Sequence, residues 1–379
     1  MYKVAIVGAG VGGSYLAYLL SKRGIHTVVF DPRTPHEKLC GGGVTPKAIA
    51  DFPLLLELPC PRHEIWKAVL ISPNDTMTSV ELEKPLTIFN RRDLDYTLLI
   101  KAQELGAYLR AERVNVFARV GSHWEISTDQ AQYEAEIIVG ADGAMSRTRK
   151  ILGISTGGPE CFLALACFID MTGDSALFKF FPDFKGYLWA FPRVDKTVVG
   201  IVSRYSTAHD IATLKQMLRN YIELRFPSHL NHISFRGGLV PLFSNESLCG
   251  RQRICSENWA LIGDAASLVD PISGEGIYYA LCSADILAAC IAENNLPLYH
   301  DLCMERIGRI LGEAARCYPY LYRDGFIGTM VSLVDKSRTI RGVISEMMAG
   351  DINYVSYTWK FSRHLLGLLS MLGRHEKTH

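Results

Sequence analysis

The chain of 379 residues is long enough for two closely packed lobes, and its hydrophobic fraction of 48% can supply a large core. Its 40 lysines and arginines nearly balance its 39 aspartates and glutamates, so the net charge of +1 argues against a nucleic-acid-binding protein. The ten cysteines form no Cys-x-x-Cys pair, which excludes the common zinc and iron–sulfur ligand spacings, and we expect no metal site.

The first elements predict a βαβ unit. A β-rich run at residues 3–7 precedes a helical pattern from Val11 to Lys22, and a second strand from His26 to Phe30 follows. This start leaves no room for a targeting segment, and isolated thiols are typical of a reducing compartment. We therefore expect a cytoplasmic protein.

A glycine motif joins the first strand to the first helix. In Gly8-x-Gly10-x-x-Gly13, Gly8 permits a tight turn, Gly10 lets the backbone approach a pyrophosphate, and Gly13 allows close helix–strand packing. Gly12 belongs to the same loop. Asp31 ends the second strand and is placed to accept hydrogen bonds from a ribose. The motif predicts a dinucleotide site without separating NAD from FAD.

The later elements indicate two kinds of lobe. A helix is predicted at 91–105, followed by strands near 112–117, 123–127 and 136–140. Four further strands read as an antiparallel meander: Leu163–Asp170, Ser175–Phe181, Gly186–Phe191 and Thr197–Ser203. A helix near 208–225, a strand near 235–240, a parallel strand at 259–263 and a helix at 276–293 follow, and the remainder reads as helical.

The tail from Tyr354 to Leu372 is aromatic and leucine-rich, but Lys360, Arg363 and His364 interrupt it, and no run of 18 apolar residues exists. We expect this tail to be a helix packed on the body. The alternative is a helix on a membrane surface, which leaves a peripheral membrane contact open.

Two further segments carry a family resemblance. Gly263-Asp264 ends a strand, and Asp270-Pro-Ile-Ser-Gly274-Glu275-Gly276 opens a helix at Ile277. Both resemble the flavoprotein family that includes p-hydroxybenzoate hydroxylase and the geranylgeranyl reductases. The resemblance implies that Asp264 binds the ribityl chain of FAD and that Gly274, Gly276 and Ile277 lie against the flavin ring. A helix N-terminus favours the negative charge of a reduced flavin, although a capped helix after a turn is the alternative.

Three more positions resemble FAD contacts of this family. Arg91 matches an FAD-contacting arginine, with a solvated charge as the alternative and the register uncertain because Arg92 is adjacent. Val114, at the strand end after the helix predicted at 91–105, would touch the adenine through its backbone. Asp142, in Gly140-Ala-Asp-Gly, would position the phosphates indirectly, and it equally fits a turn residue that holds backbone amides.

Two features resemble the geranylgeranyl reductase branch. One is Cys40-Gly41-Gly42-Gly43, similar to that branch's Cys-Gly-Gly loop, which would place Cys40 and Gly41 beside the flavin. Cys40 would donate a proton or gate access, whereas a buried inert cysteine is the ordinary alternative.

The other feature is Gly186-Tyr-Leu-Trp-Ala-Phe-Pro192, which resembles the branch's Tyr-x-Trp-x-Phe-Pro signature. Alternation puts Tyr187, Trp189 and Phe191 on one face of a strand, either as the wall of an apolar substrate channel or as plain core. The resemblance favours the channel.

We therefore expect an α/β fold: a Rossmann-like FAD-binding domain with an inserted antiparallel β-sheet substrate domain and a C-terminal helical region. The FAD-binding domain would comprise residues 1–70, 91–160 and 245–300. The substrate domain would comprise 71–90 and 161–244, and the helical region 301–379.

The implied function is reduction of carbon–carbon double bonds in an isoprenoid chain by hydride from reduced FAD, with a hydrophobic small molecule as substrate. The alternatives are a monooxygenase of the p-hydroxybenzoate hydroxylase type and a non-catalytic prenyl-binding carrier. The electron donor stays open between NADPH and a donor protein such as ferredoxin.

Overall fold

The computed structural model describes residues 1–154, 160–205, 210–244, 253–323, 325–351 and Tyr354. Within them the strands are β1 Tyr2–Val7, β2 Thr27–Phe30, β3 Gly43–Val44, β4 Arg62–Ile71, β5 Met77–Phe89, β6 Tyr108–Arg110, β7 Val114–Val120, β8 His123–Thr128, β9 Gln132–Gly140, β10 Cys161–Ile169, β11 Ser175–Lys179, β12 Gly186–Pro192, β13 Thr197–Arg204, β14 Arg236–Pro241 and β15 Trp259–Leu261.

The α-helices are α1 Val11–Lys22, α2 Pro46–Asp51, α3 Leu54–Glu57, α4 Arg91–Glu104, α5 Arg147–Ile151, α6 Ile211–Arg225, α7 Ile277–Ala292, α8 Tyr299–Cys303, α9 Arg309–Leu321, α10 Phe326–Val334 and α11 Arg338–Ala349. The architecture confirms the predicted α/β class. No helix of the described residues is long and apolar enough to cross a membrane.

The first sheet has the order β6-β2-β1-β9-β8-β7, with β15 also beside β9. β1 pairs in parallel with β2 and β9, and β15 also runs parallel to β9. Val4, Ala5 and Ile6 are fully buried, as the central strand of a sheet covered on both faces requires. Parallel pairing brings the carboxyl ends of these strands to one edge, where the glycine motif, Asp31 and Asp264 follow.

The second sheet has the order β14-β10-β13-β12-β11-β4-β5-β3. The prediction of a meander through β10, β11, β12 and β13 is wrong in one respect, because β10 pairs with β13 and not with β11. β11 instead pairs in parallel with β4 and antiparallel with β12. A meander assumes that sequence neighbours pair, and here a strand from much earlier in the chain occupies the edge of β11.

The predicted boundary at residue 70 also differs from the sheet memberships. β3 and β4 pair with β5 in the second sheet. Residues 43–44 and 62–71 therefore belong to the second sheet, although the sequence analysis assigned residues up to 70 to the FAD-binding domain. The burial of Ile65, Ala68 and Leu70 in β4 is the pattern of a strand with one face on a core.

Helices cover both faces of the second sheet. α9, α10 and α11 pack on the face that carries Trp189 and Phe162. α6 packs on the opposite face against Leu188 and Ala190. The predicted tail helix lies outside the described residues except for Tyr354, which is buried.

Candidate flavin and substrate site

The glycine motif forms a tight loop with one open position. A Cβ at Gly8, where φ is +108°, would lie 2.5 Å from the Ala141 carbonyl oxygen, and one at Gly13 would lie 2.0 Å from the Gly8 oxygen. A Cβ at Gly12 would be 3.3 Å from the Ala280 Cβ of α7. These three glycines therefore serve close packing.

Gly10 differs from the other three, because the nearest atom to its Cβ position is Asp95 Oδ2 at 4.0 Å. Gly10 is the N-cap of α1, and no side chain caps that helix. The first amides of α1 thus have no side-chain cap, and uncapped amides at a helix start are the arrangement that binds a phosphate.

Asp31 joins this loop to the end of β2. It is 5% exposed; its Oδ2 accepts the Ala9 N–H and its Oδ1 accepts the Arg33 N–H, both at 2.9 Å. Each carboxylate oxygen keeps capacity for another donor. Asp31 therefore shapes the loop and retains an acceptor for a ribose hydroxyl.

Asp264 lies beside the N-terminus of α7. Its Oδ2 pairs with Lys38 Nζ at 2.8 Å, and a Cβ at Gly276 would lie 3.0 Å from its Oδ1. Burial raises the pKa of Asp264, but Lys38 and the more distant Arg91 outweigh burial and hold that pKa below its ordinary value. Gly276 is the N-cap of α7 and has no side-chain cap, so a second helix N-terminus stands open next to a carboxylate.

Arg91 is buried, which contradicts the solvated alternative. It is 3% exposed, and it donates from Nε and Nη2 to the two oxygens of Asp95 at 3.0 and 2.7 Å. Burial lowers the pKa of Arg91, but Asp95 and the neighbouring Cys40 thiol raise it by more than burial lowers it. The pKa therefore lies above its ordinary value, and the guanidinium stays charged. The pair lies behind Gly10 and beside Cys40, whereas Arg92 is exposed.

Asp142 is engaged in a turn. Its Oδ1 accepts the Ser146 hydroxyl at 2.5 Å, and its Oδ2 accepts the Thr148 N–H at 2.9 Å. These bonds organise the start of α5. Of the two roles that the sequence left open for Asp142, this is the turn residue that holds backbone amides. Next to it, the buried Arg149 guanidinium donates to the Ser267 hydroxyl at 2.9 Å, a contact that the sequence did not reveal.

Val114 begins β7 at the edge of the first sheet. Its side chain is 6% exposed and packs with Val28, Phe30 and Trp124. Only its backbone is left to face a ligand.

The Cys40 loop crosses the aromatic strand β12. A Cβ at Gly41 would lie 2.8 Å from Phe191 Cδ2 and 3.6 Å from Trp189 Nε1. A Cβ at Gly43 would lie 3.3 Å from Phe191 Cε2, and one at Gly42, where φ is +76°, would be 2.2 Å from the Phe89 oxygen. Because glycines in this loop have no side chains, the Cys40 loop and β12 lie in direct contact although they are 150 residues apart in the sequence.

The predicted alternation along β12 is confirmed. Trp189 lies in one apolar cluster together with the half-buried Tyr187 and Phe191, and Leu188 and Ala190 lie in another. The Tyr187 hydroxyl donates to the Ser273 carbonyl oxygen, which ties β12 to the loop before α7.

Trp189 combines deep burial with an unused donor. The side chain is 9% exposed, and its ring takes the space above Gly200, where a Cβ would lie 2.2 Å from Cζ2. Its indole Nε1 has no hydrogen-bond partner within the described part of the chain. A buried donor without a partner is rare.

Arg193 is another residue at this site that the sequence did not indicate. It is fully buried at the end of β12, donates from Nη1 to Glu37 Oε1 at 2.6 Å and from Nη2 to the Cys40 carbonyl oxygen at 2.7 Å. An arginine after Pro192 looks like an exposed charge in the sequence, because its partner Glu37 is 156 residues away.

Comparisons with known proteins agree with this geometry. Residues 6–48 match the family model of an NAD(P)-binding Rossmann-like domain. An uncharacterized protein of Methanosarcina barkeri is 30% identical over 302 residues, covering 77% of this chain and 75% of that protein. The chloroplastic geranylgeranyl diphosphate reductase of Oryza sativa subsp. japonica is 27% identical over 403 residues, covering 94% of this chain and 81% of the reductase.

Among solved structures, a geranylgeranyl bacteriochlorophyll reductase-like protein from Thermoplasma acidophilum has a TM-score of 0.77 at 22% identity, covering 91% of this chain and 95% of that one. That likeness supports the fold, and the sequence relatives support the family. The resemblance seen in the motifs is thereby confirmed, and an enzyme is favoured over a non-catalytic carrier. The chain belongs to the geranylgeranyl reductase family of FAD-dependent oxidoreductases.

Proposed function

We propose that this protein reduces carbon–carbon double bonds of an isoprenoid chain with electrons from bound FAD. The observation that carries the proposal is the meeting of three elements: the Cys40 loop, the aromatic face of β12 and the loop before α7. The first two are in contact through Gly41 and Phe191, and the last two through Tyr187 and Ser273.

The residues fit FAD in a defined order along the first sheet. The amides after Gly10 would hold the pyrophosphate, Asp31 the adenosine ribose and Asp264 the ribityl chain. The open N-terminus of α7, with Gly274, Gly276 and Ile277, would face the flavin ring, and Cys40 and Gly41 would lie beside it. Arg91 and Asp142 would act by supporting these loops, and Val114 would offer its backbone to the adenine.

When bound, FAD supplies the hydride, and the protein supplies position and dryness. Isolated double bonds are unactivated, so the substrate must be held close to the flavin with water excluded. Tyr187, Trp189 and Phe191 provide wide apolar contact for a chain without polar anchors. Because contact with a membrane surface would suit such a substrate, we also propose that the tail makes this contact.

The experiment is anaerobic. The FAD-loaded protein is reduced with dithionite, which removes the choice between NADPH and ferredoxin from the measurement, and is offered a panel of polyprenyl compounds. We expect flavin reoxidation together with a mass gain of two hydrogens in one class of compound. No anaerobic reoxidation, together with reoxidation in a parallel aerobic sample that places an oxygen atom in the substrate, would contradict reduction and establish a monooxygenase.

A further inference from the structure

The loop before α7 carries two carboxyl groups in different situations. Asp270 is fully buried and accepts the N–H groups of Ile272 and Ser273 and the hydroxyl of Tyr354, each at 2.8 Å. With three donors on its two oxygens, Asp270 has a structural task. It shapes the turn that presents the next carboxyl group, Glu275.

Glu275 is half-buried and sparsely bonded. In the described part of the chain its side chain makes one hydrogen bond, a long one of 3.4 Å from the Thr45 hydroxyl to Oε1, and no ion pair involves it there. Thr45 follows the Cys40 loop directly and caps α2. Glu275 therefore lies where the Cys40 loop meets the open start of α7.

The charged and titratable neighbours of Glu275 come from every element around it. Lys47 of α2 is the neighbouring cation, and Asp270 is a like charge on the same loop. The remaining neighbours are neutral acids with a raised pKa, from β12, α7 and the chain near residue 354: Tyr187, Tyr279, Cys282 and Tyr354. Burial and the charge of Asp270 raise the pKa of Glu275 to about 7, against the opposing effects of Thr45 and Lys47. The group thus exchanges its proton near neutral pH.

Two other acids at this locus, Tyr187 and Cys40, already make polar contacts. The Tyr187 hydroxyl already donates to the Ser273 carbonyl, and burial raises its pKa above the ordinary value. The Cys40 sulfur accepts the Gly42 N–H at 3.4 Å and lies against the Arg91 guanidinium. Reduction of a double bond needs a proton as well as a hydride, and of these side chains Glu275 is the one with few competing bonds.

We propose that Glu275 is the proton donor of the reduction, a role that rests on the proposed function. Its Oε–H bond breaks as a C–H bond forms at one alkene carbon, while the other carbon receives hydride from the reduced flavin. The π bond is consumed, the flavin loses two electrons, and the carboxylate is reprotonated from water. Atoms and charge balance with no further reagent.

The first test compares wild type with Glu275→Gln and Glu275→Asp, each FAD-loaded, reduced with dithionite and mixed anaerobically with a reactive polyprenyl compound. A general acid contributes roughly 10²- to 10⁴-fold, so Glu275→Gln should slow reoxidation by at least about 100-fold. The wild-type rate should fall as the pH rises above about 7. Glu275→Asp should keep that pH dependence at a lower rate. A Glu275→Gln rate within twofold of wild type, with the same pH profile, overturns the proposal.

The second test needs no turnover. Because the pKa of Glu275 is raised from 4.5 to about 7 on folding, wild type loses stability as the pH rises through that window, and Glu275→Gln does not. The melting temperature of Glu275→Gln minus that of wild type should therefore increase between pH 5 and pH 8. Glu293→Gln, an exposed glutamate at the other end of α7, should show a constant difference.

The two tests separate two failures. A pH-independent melting difference for Glu275→Gln contradicts the proton-holding role, whatever the substrate is. A wild-type protein that shows the expected melting behaviour but reduces no polyprenyl compound contradicts the proposed function, and the donor role is rejected with it.

Discussion

At the residue scale, Asp264 has the clearest expected effect. Replacing Asp264 by alanine removes the carboxylate beside the start of α7 and leaves Lys38 without its partner at 2.8 Å. A hydrogen bond to a charged group contributes about 1.5–3 kcal/mol, so the dissociation constant of FAD should rise roughly 10- to 150-fold. The flavin-to-protein absorbance ratio after extensive dialysis measures this. Asp264→Asn keeps one oxygen acceptor and should lose less, and full occupancy in Asp264→Ala would refute the assignment.

Single residues were predictable where their requirement is local. The glycine motif and Asp31 stand out because tight turns and helix starts depend on neighbours in the sequence. Arg193 and Glu37 did not stand out, since each needs a partner far along the chain before its burial makes sense. Asp142 is intermediate, because its partners Ser146 and Thr148 are close but a turn and a phosphate loop use the same residues.

At the element scale, the contact between the Cys40 loop and β12 can be tested by adding one methyl group. Gly41→Ala would place a Cβ 2.8 Å from the Phe191 ring, so the loop or the ring must move. We expect slower substrate-dependent reoxidation, by about tenfold or more, with FAD still bound. Gly238→Ala in β14, where a Cβ meets nothing within 4 Å, is the matched control and should leave the rate unchanged.

A second substitution that removes the steric clash makes the same test more specific. Phe191→Leu removes the ring edge that Gly41→Ala would strike, so the double variant should recover part of the rate lost by Gly41→Ala alone. Strictly additive losses would mean that the loop and the strand do not act through this contact.

Trp189 in β12 distinguishes a substrate wall from plain core. Trp189→Phe keeps an apolar ring and loses no hydrogen bond of the described residues, so we expect the melting temperature to change little and FAD to stay bound. If Trp189 is part of the substrate wall, turnover of a prenyl compound should be much slower, because the smaller ring offers less contact area. Trp124→Phe is the control, because its Nε1 donates to the Asn258 oxygen at 2.9 Å in the first lobe and should affect stability alone. Unchanged turnover in Trp189→Phe, or a collapsed melting temperature, would support plain core.

Elements were easier to predict than their pairing. α1 and α4 lie within a residue of the predicted bounds, because hydrophobic periodicity is a property of the segment itself. The order of the second sheet was not predictable from such patterns, since any strand with one apolar face suits several neighbours. The parallel pairing of β11 with β4 depends on where a segment about a hundred residues earlier has already been placed.

At the scale of the whole molecule, Arg193 links the two sheets. It directly follows the second sheet's β12, and its partner Glu37 also accepts the first N–H groups of α4, from Arg91 and Arg92. Arg193→Met should destabilise the protein by about 3–5 kcal/mol, because it leaves a partly buried carboxylate without its cation. It should also free the Cys40 loop, so that Cys40 reacts faster with a thiol reagent.

Urea unfolding and the rate of Cys40 alkylation measure the two effects of Arg193→Met. Arg92→Met replaces an exposed arginine in the same region and should change neither. Loss of stability without faster alkylation would restrict Arg193 to a purely structural role.

The interleaving of the two sheets also bears on synthesis. The first sheet ends with β15, at residues 259–261, and the second with β14, at residues 236–241. A ribosome must therefore make about two-thirds of the 379 residues before either sheet has all its strands. Until then the nascent chain carries unpaired strand edges and uncovered apolar faces, including the aromatic face of β12. We expect folding to be late and slow, and dependent on factors that shield the growing chain.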